Sequence, residues 1–139
     1  MTISVAGDII APVAHSTSEK LLGIICDTSG SMQDRKIQAA KTAMIKLVNL
    51  LPEDTHFFIV TGSYEARLIV PLMRASQSNK ANAINLIRSI HAQGGTVMSS
   101  WLAEARRQFQ RMPEAIRQAI LLTDGQNDRE VRRAPQELL

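Results

Sequence analysis

Apolar runs and helical stripes alternate along this chain from residue 20 onward. The run Leu21 to Cys26, "LLGIIC", contains no charge and reads as a strand buried on both faces of a sheet. After it, Ile37, Ala40, Met44, Leu47 or Val48, and Leu51 recur at spacings of three and four. That is the stripe of an amphipathic helix, and Pro52 ends it. "THFFIVTG", Thr55 to Gly62, is a second apolar run, and "EARLIVPL", Glu65 to Leu72, follows after only Ser63 and Tyr64. A parallel return needs roughly a dozen residues, so these two runs predict an antiparallel hairpin. Leu68, Val70 and Leu72 alternate with Arg67, Ile69 and Pro71, and a proline within a strand predicts an edge position.

Asn79 to His91 reads as a helix with Ile84, Ile87 and Ile90 on one side, ended by the glycine pair of "AQGGT". A further helix runs through Trp101, Leu102, Ala105, Phe109 and Met112 to Pro113. "AIRQAILLTDG" is another buried run, with Asp124 at its tip, and "QNDREVRRAPQELL" reads as a helical start broken at Pro135. The alternation predicts an α/β fold: an open, Rossmann-like sheet, mostly parallel with one antiparallel edge strand, and helices on both faces. Residues 1–19 read as an N-terminal extension that includes a strand or hairpin, and residues 20–139 as the domain. No internal repeat, low-complexity tract or linker divides it.

A length of 139 residues suits one domain with a real core. The net charge of +3 raises the question of nucleic acid. The late arginines Arg106, Arg107, Arg111 and Arg117 are interleaved with Glu104 and Glu114, however, as on a solvated helix face. No apolar run approaches the roughly 18 residues of a membrane span, and the N-terminus lacks the basic start of a signal peptide. A single cysteine, Cys26, allows no intramolecular disulfide. Its place in a buried run predicts a core residue, and the whole predicts a cytoplasmic protein. His15, His56 and His91 lie in separate segments without metal-ligand spacing.

The chemistry is concentrated where buried runs end. In "DTSGSM" the oxygen side chains of Asp27, Ser29 and Ser31 recur at every second residue around Gly30. Asp124 ends another buried run, and "GGT" offers Thr96 on a loop freed by glycine. In open α/β sheets, ligands bind beyond the carboxyl ends of the strands, so neighbouring strands would bring Asp27 and Asp124 together. Two carboxylates and three hydroxyls are hard oxygen donors, suited to Mg2+, with Mn2+ or Ca2+ as substitutes, over zinc or copper. Each also has a plainer reading. Asp27, Ser29 and Ser31 suit a helix N-cap, Thr96 suits the cap of the helix at Ser99, and Asp124 before Gly125 suits a turn.

"DTSGSM", "GGT" and "LLTDG", in this order and at these separations, resemble the metal-ion-dependent adhesion site of von Willebrand factor A domains. Within that family the bacterial intracellular members, often encoded with stress-response or signalling partners, look closer than adhesion receptors. The resemblance implies a divalent-metal-dependent protein-binding module. Ser29, Ser31 and Thr96 would bind the metal directly, Asp27 and Asp124 often through water, and the metal would capture an Asp or Glu of a partner protein. It also implies a longer fold whose last strand-helix units are missing here. That would leave the Ala119–Thr123 strand as an uncharged edge, open to self-association or to a complementing C-terminal chain.

Two other functions compete. A metal-dependent phosphohydrolase with an aspartate nucleophile also begins on a hydrophobic strand ending in Asp, but it uses Asp-x-Asp, and Ser29 stands at the second position. No Ser-His-Asp pattern and no lysine close to the motifs supplies a base. The third reading is a scaffold domain that does not use the metal. No glycine-rich phosphate loop supports nucleotide binding.

Overall fold

A computed structural model of the chain describes residues 2–6 and 19–124. His15 and the expected helical start after Asp124 lie outside the described residues. Among the described residues, five strands form one open sheet. They are β1 (Thr2–Ala6), β2 (Lys20–Asp27), β3 (His56–Gly62), β4 (Ala66–Arg74) and β5 (Ile116–Thr123), in the spatial order β1-β5-β2-β3-β4. The α-helices among the described residues are α1 (Arg35–Leu50), α2 (Gln77–Arg88) and α3 (Met98–Phe109).

β2 pairs in parallel with both β3 and β5, and so occupies the centre of the sheet. Its two faces feed two cores, which is why its sequence shows no polar alternation. Leu22, Ile24 and Cys26 face α1 and α2, whereas Leu21 and Ile25 face α3. On α1 the buried stripe is Ile37, Ala40, Met44 and Val48, so Val48 and not Leu47 continues the period. Burial of Ile37, Met44 and Val48 contributes about 1.5–3 kcal/mol each. The end of α1 is held from outside: Lys80 of α2 donates its ammonium to the carbonyls of Leu51 at 2.5 Å and Asn49 at 3.5 Å, and is itself buried. A cation at carbonyls left without helical partners is favourable on both hydrogen-bonding and dipole grounds.

The hairpin β3–β4 is antiparallel as expected, but its side-chain alternation is broken. Ile69 and Val70 both pack on the α1–α2 side, while Leu68 and Leu72 pack on the α3 side. The cause is a register irregularity between Phe57 and Val60 of β3, which turns two successive residues to one face. Pro71 is exposed on this edge strand.

Two expectations about the sheet require correction. It has two antiparallel edge strands, β4 and β1, where one was expected. Further, the Ala119–Thr123 segment of β5 is not an edge. Every residue from Ala119 to Thr123 is paired with β1, from Ala6 back to Thr2. Its backbone groups meet a strand from the same chain, so the case for self-association or a complementing chain at that position loses its physical basis.

Candidate metal centre

The carboxyl ends of β2, β3 and β5 and two loops converge on Asp27. Asp27 is 2% exposed, and both oxygens of its carboxylate accept hydrogen bonds. Oδ1 accepts from the Ser29 backbone N–H at 2.9 Å and from Ser29 Oγ at 2.7 Å, and Oδ2 accepts from Thr123 Oγ1 at 2.9 Å. Ser29 Oγ lies 3.1 Å from Ser31 Oγ. Asp27 and Ser29 are buried and Ser31 is exposed, so the cluster runs from the interior to the surface.

The loop after β2 is fastened at several points. Thr28 donates from its backbone N–H to Gly62 O at 2.8 Å and from Oγ1 to the same oxygen at 3.1 Å. Gly30 N–H donates to Gly94 O, and Gln93 N–H donates to Thr28 O, both at 2.8 Å. These two bonds dock the "QGGT" loop onto "DTSGS" and bring Thr96, half-buried, to the same end of the sheet. Gly94 has φ +85, and a Cβ on Gly95 would stand 2.3 Å from the ring of Tyr64. The glycine pair therefore serves a left-handed turn and a close aromatic cover at once.

The plainer readings of two residues fail. Ser29 precedes the 3-10 turn Gly30–Met32 without a side-chain cap bond, since its hydroxyl is directed to Asp27. The cap of α3 is Val97, so Thr96 does not cap that helix. Among the described residues Thr96 has no hydrogen bond to the Asp27 cluster. Asp124 follows Thr123 directly, and its side chain, 2% exposed, is ion-paired with Lys36 Nζ at 3.1 Å. That ion pair corrects the expectation that no lysine lies close to the motifs: Lys36, five residues beyond Ser31, reaches the site from the first turn of α1.

Thr123 and Lys36 were thus missed from sequence. Thr123 could have been found from its place at the tip of β5 beside Asp124. Lys36 was hidden by the unusual turn that leads into α1, where Asp34 has φ 64 and ψ −121. Cys26 is buried in the core, where burial first, and the neighbouring Asp27 second, push its thiol up to about 12. It stays a protonated thiol at neutral pH and is no nucleophile.

The donor set fits a hard cation. A hydroxyl that gives its proton to a buried carboxylate keeps its lone pairs for another partner, and Ser29 Oγ does this beside Ser31 Oγ. Among the described residues no three His, Cys, Asp or Glu side chains gather in a metal-binding group, so any ion here would rely on hydroxyl oxygens. A von Willebrand factor type A domain model matches residues 22–139. The chain belongs to that family.

Von Willebrand factor type A relatives include inter-alpha-trypsin inhibitor heavy chain H4 of Bos taurus, 37% identical over 123 residues, and that of Homo sapiens, 36% identical over 123 residues. In both cases the match covers 83% of this chain but only 13% of the relative, so this chain corresponds to a small part of those proteins. Among solved structures, the von Willebrand factor type A protein from Catenulispora acidiphila is 38% identical with a TM-score of 0.70, covering 72% of this chain and 25% of that one. The von Willebrand factor domain of the type V pili tip protein Mfa5 from Porphyromonas gingivalis has a TM-score of 0.60 at 17% identity, over 69% of this chain and 34% of that one. It shares the fold.

Proposed function

We propose that this von Willebrand factor type A domain binds a divalent cation, Mg2+ by preference with Mn2+ or Ca2+ as substitutes, and through it captures an Asp or Glu of a protein partner. Domains of this family commonly mediate metal-dependent protein interactions. The observation that carries the reading is the hydroxyl pair Ser29 and Ser31, 3.1 Å apart, backed by a buried carboxylate that accepts the Ser29 hydroxyl's hydrogen bond. Ser29, Ser31 and Thr96 would hold the ion, with Asp27 and Asp124 supplying negative charge behind them. When bound, the ion supplies positive charge at the surface, and a partner carboxylate can fill a position left to water.

The hydrolase reading has less support. Asp27 is buried, and Ser29 stands where the second, acid-base carboxylate of an Asp-x-Asp nucleophile would be; it donates its hydroxyl to Asp27 and supplies no base. The test is thermal unfolding in Mg2+, Mn2+, Ca2+ or EDTA, with a generic phosphatase substrate assayed in parallel. The expected result is metal-dependent stabilisation, ~2.7 kcal/mol at 100 times the dissociation constant, without turnover. Indifference to metal favours a scaffold that does not use it, and turnover favours the hydrolase.

A further inference from the structure

The first turn of α1 is electrostatically inverted. Arg35 and Lys36 stand at the positive end of the helix dipole, and the turn contains no acidic residue. Asp34, which leads into it, holds φ 64, a backbone region that costs a non-glycine residue free energy. Both features oppose the local preferences of the chain, so something beyond the helix must offset them. What Lys36 gains is Asp124: its Nζ lies 3.1 Å from Oδ2. The two partners are unequally placed, for the lysine side chain is 43% exposed and that of Asp124 is 2% exposed. The ammonium stands on the solvent side of the pair and the carboxylate on the buried side.

We infer that Lys36 is the built-in counter-charge of the crevice: it neutralises Asp124 in the metal-free protein and opposes entry of the divalent cation, and so sets the affinity of the site. The inference rests on the metal reading above. A buried carboxylate is costly unless it is paired, and Lys36 supplies a charge partner for Asp124 in the metal-free fold. A cation arriving beside Asp124 meets a like charge, and its binding is weakened by as much as that charge repels it. Asp27 does not need such a partner, since Ser29 and Thr123 satisfy both of its oxygens. Lys36 is in this sense a positioning and affinity-setting residue, not a ligand.

The test compares the native 139-residue chain with Lys36→Met and Lys36→Arg, measuring Mn2+ affinity by electron paramagnetic resonance of free Mn2+ and thermal unfolding in EDTA. Lys36→Met is expected to melt lower in EDTA yet bind Mn2+ about tenfold more tightly, within the usual range of coupling between sites. Lys36→Arg, which keeps the charge, is expected to bind Mn2+ as the native chain does. If Lys36→Met does not fold without metal, Lys36→Gln provides the same comparison with a hydrogen-bonding side chain. Unchanged or weaker Mn2+ binding by the uncharged variants, beside a native chain that binds, overturns the role of Lys36 and leaves the metal reading standing. Absence of Mn2+ binding in every variant overturns both. Binding gained only when the ammonium is removed supports the inference in its strongest form.

Discussion

Asp34 and Thr123 show how single residues hold the crevice in shape, and each can be tested alone. Asp34 takes a positive φ and makes no side-chain cap bond to α1, so its conformation is tolerated and not rewarded locally. Glycine adopts that conformation without a Cβ penalty. Asp34→Gly is therefore expected to stabilise the protein by about 1 kcal/mol, measured by urea unfolding; a loss of stability would mean that the aspartate side chain is needed there. Thr123→Val keeps the shape but removes the donor to Asp27 Oδ2, leaving a buried carboxylate oxygen without that bond. It is expected to cost about 1–3 kcal/mol in EDTA, and an unchanged unfolding midpoint would contradict the assignment. The Asp27, Ser29 and Ser31 cluster was legible because all three lie on one local turn. Thr123 and Lys36 were not, because their roles depend on strand order and on a backbone angle that composition does not encode.

At the scale of elements, the crevice depends on how closely α3 approaches β3. Trp101 of α3 is fully buried, and its indole N–H donates to Ser63 O at 2.9 Å. The indole lies so close to Gly62 that a Cβ there would stand 2.0 Å from its ring. A flexible side chain could swing aside, but a buried and hydrogen-bonded indole cannot. Gly62→Ala is expected to destabilise by about 1–3 kcal/mol and to weaken metal-linked stabilisation, since Gly62 O also anchors Thr28. Circular dichroism melts with and without Mg2+ would check this, and a neutral substitution would contradict the packing described. The helices and the hairpin followed from periodicity, because burial of one stripe or of both faces leaves a mark on the sequence. The broken alternation of β4 did not: Ile69 and Val70 share a side only because the β3–β4 register slips.

For the whole molecule, strand order decides which edges are open. The expectation of an open Ala119–Thr123 edge assumed that β5 would lack a neighbour, and the short apolar start of the chain carried no signal that it would return across the sheet. In the structure β1 covers β5 in antiparallel register over its last five pairs, Ala119 to Thr123. Deleting residues 1–6 is thus expected to convert β5 into an edge and to produce concentration-dependent association in sedimentation. Association no different from that of the full chain would show that β1 does not protect it. The two-sided core around β2 explains why the same deletion is expected to leave the Asp27 turn in place, since that turn is held by Gly62 and Gly94 on the other side of the sheet.

The central claim is that hydroxyl oxygens at this sheet end hold a divalent cation. Its most direct test is an anomalous difference map from crystals of the protein grown with Mn2+. A peak within bonding distance of Ser29 Oγ and Ser31 Oγ, lost in Ser29→Ala, is the predicted result; a crevice without a peak at saturating Mn2+, or a peak that persists unchanged in Ser29→Ala, would contradict the account.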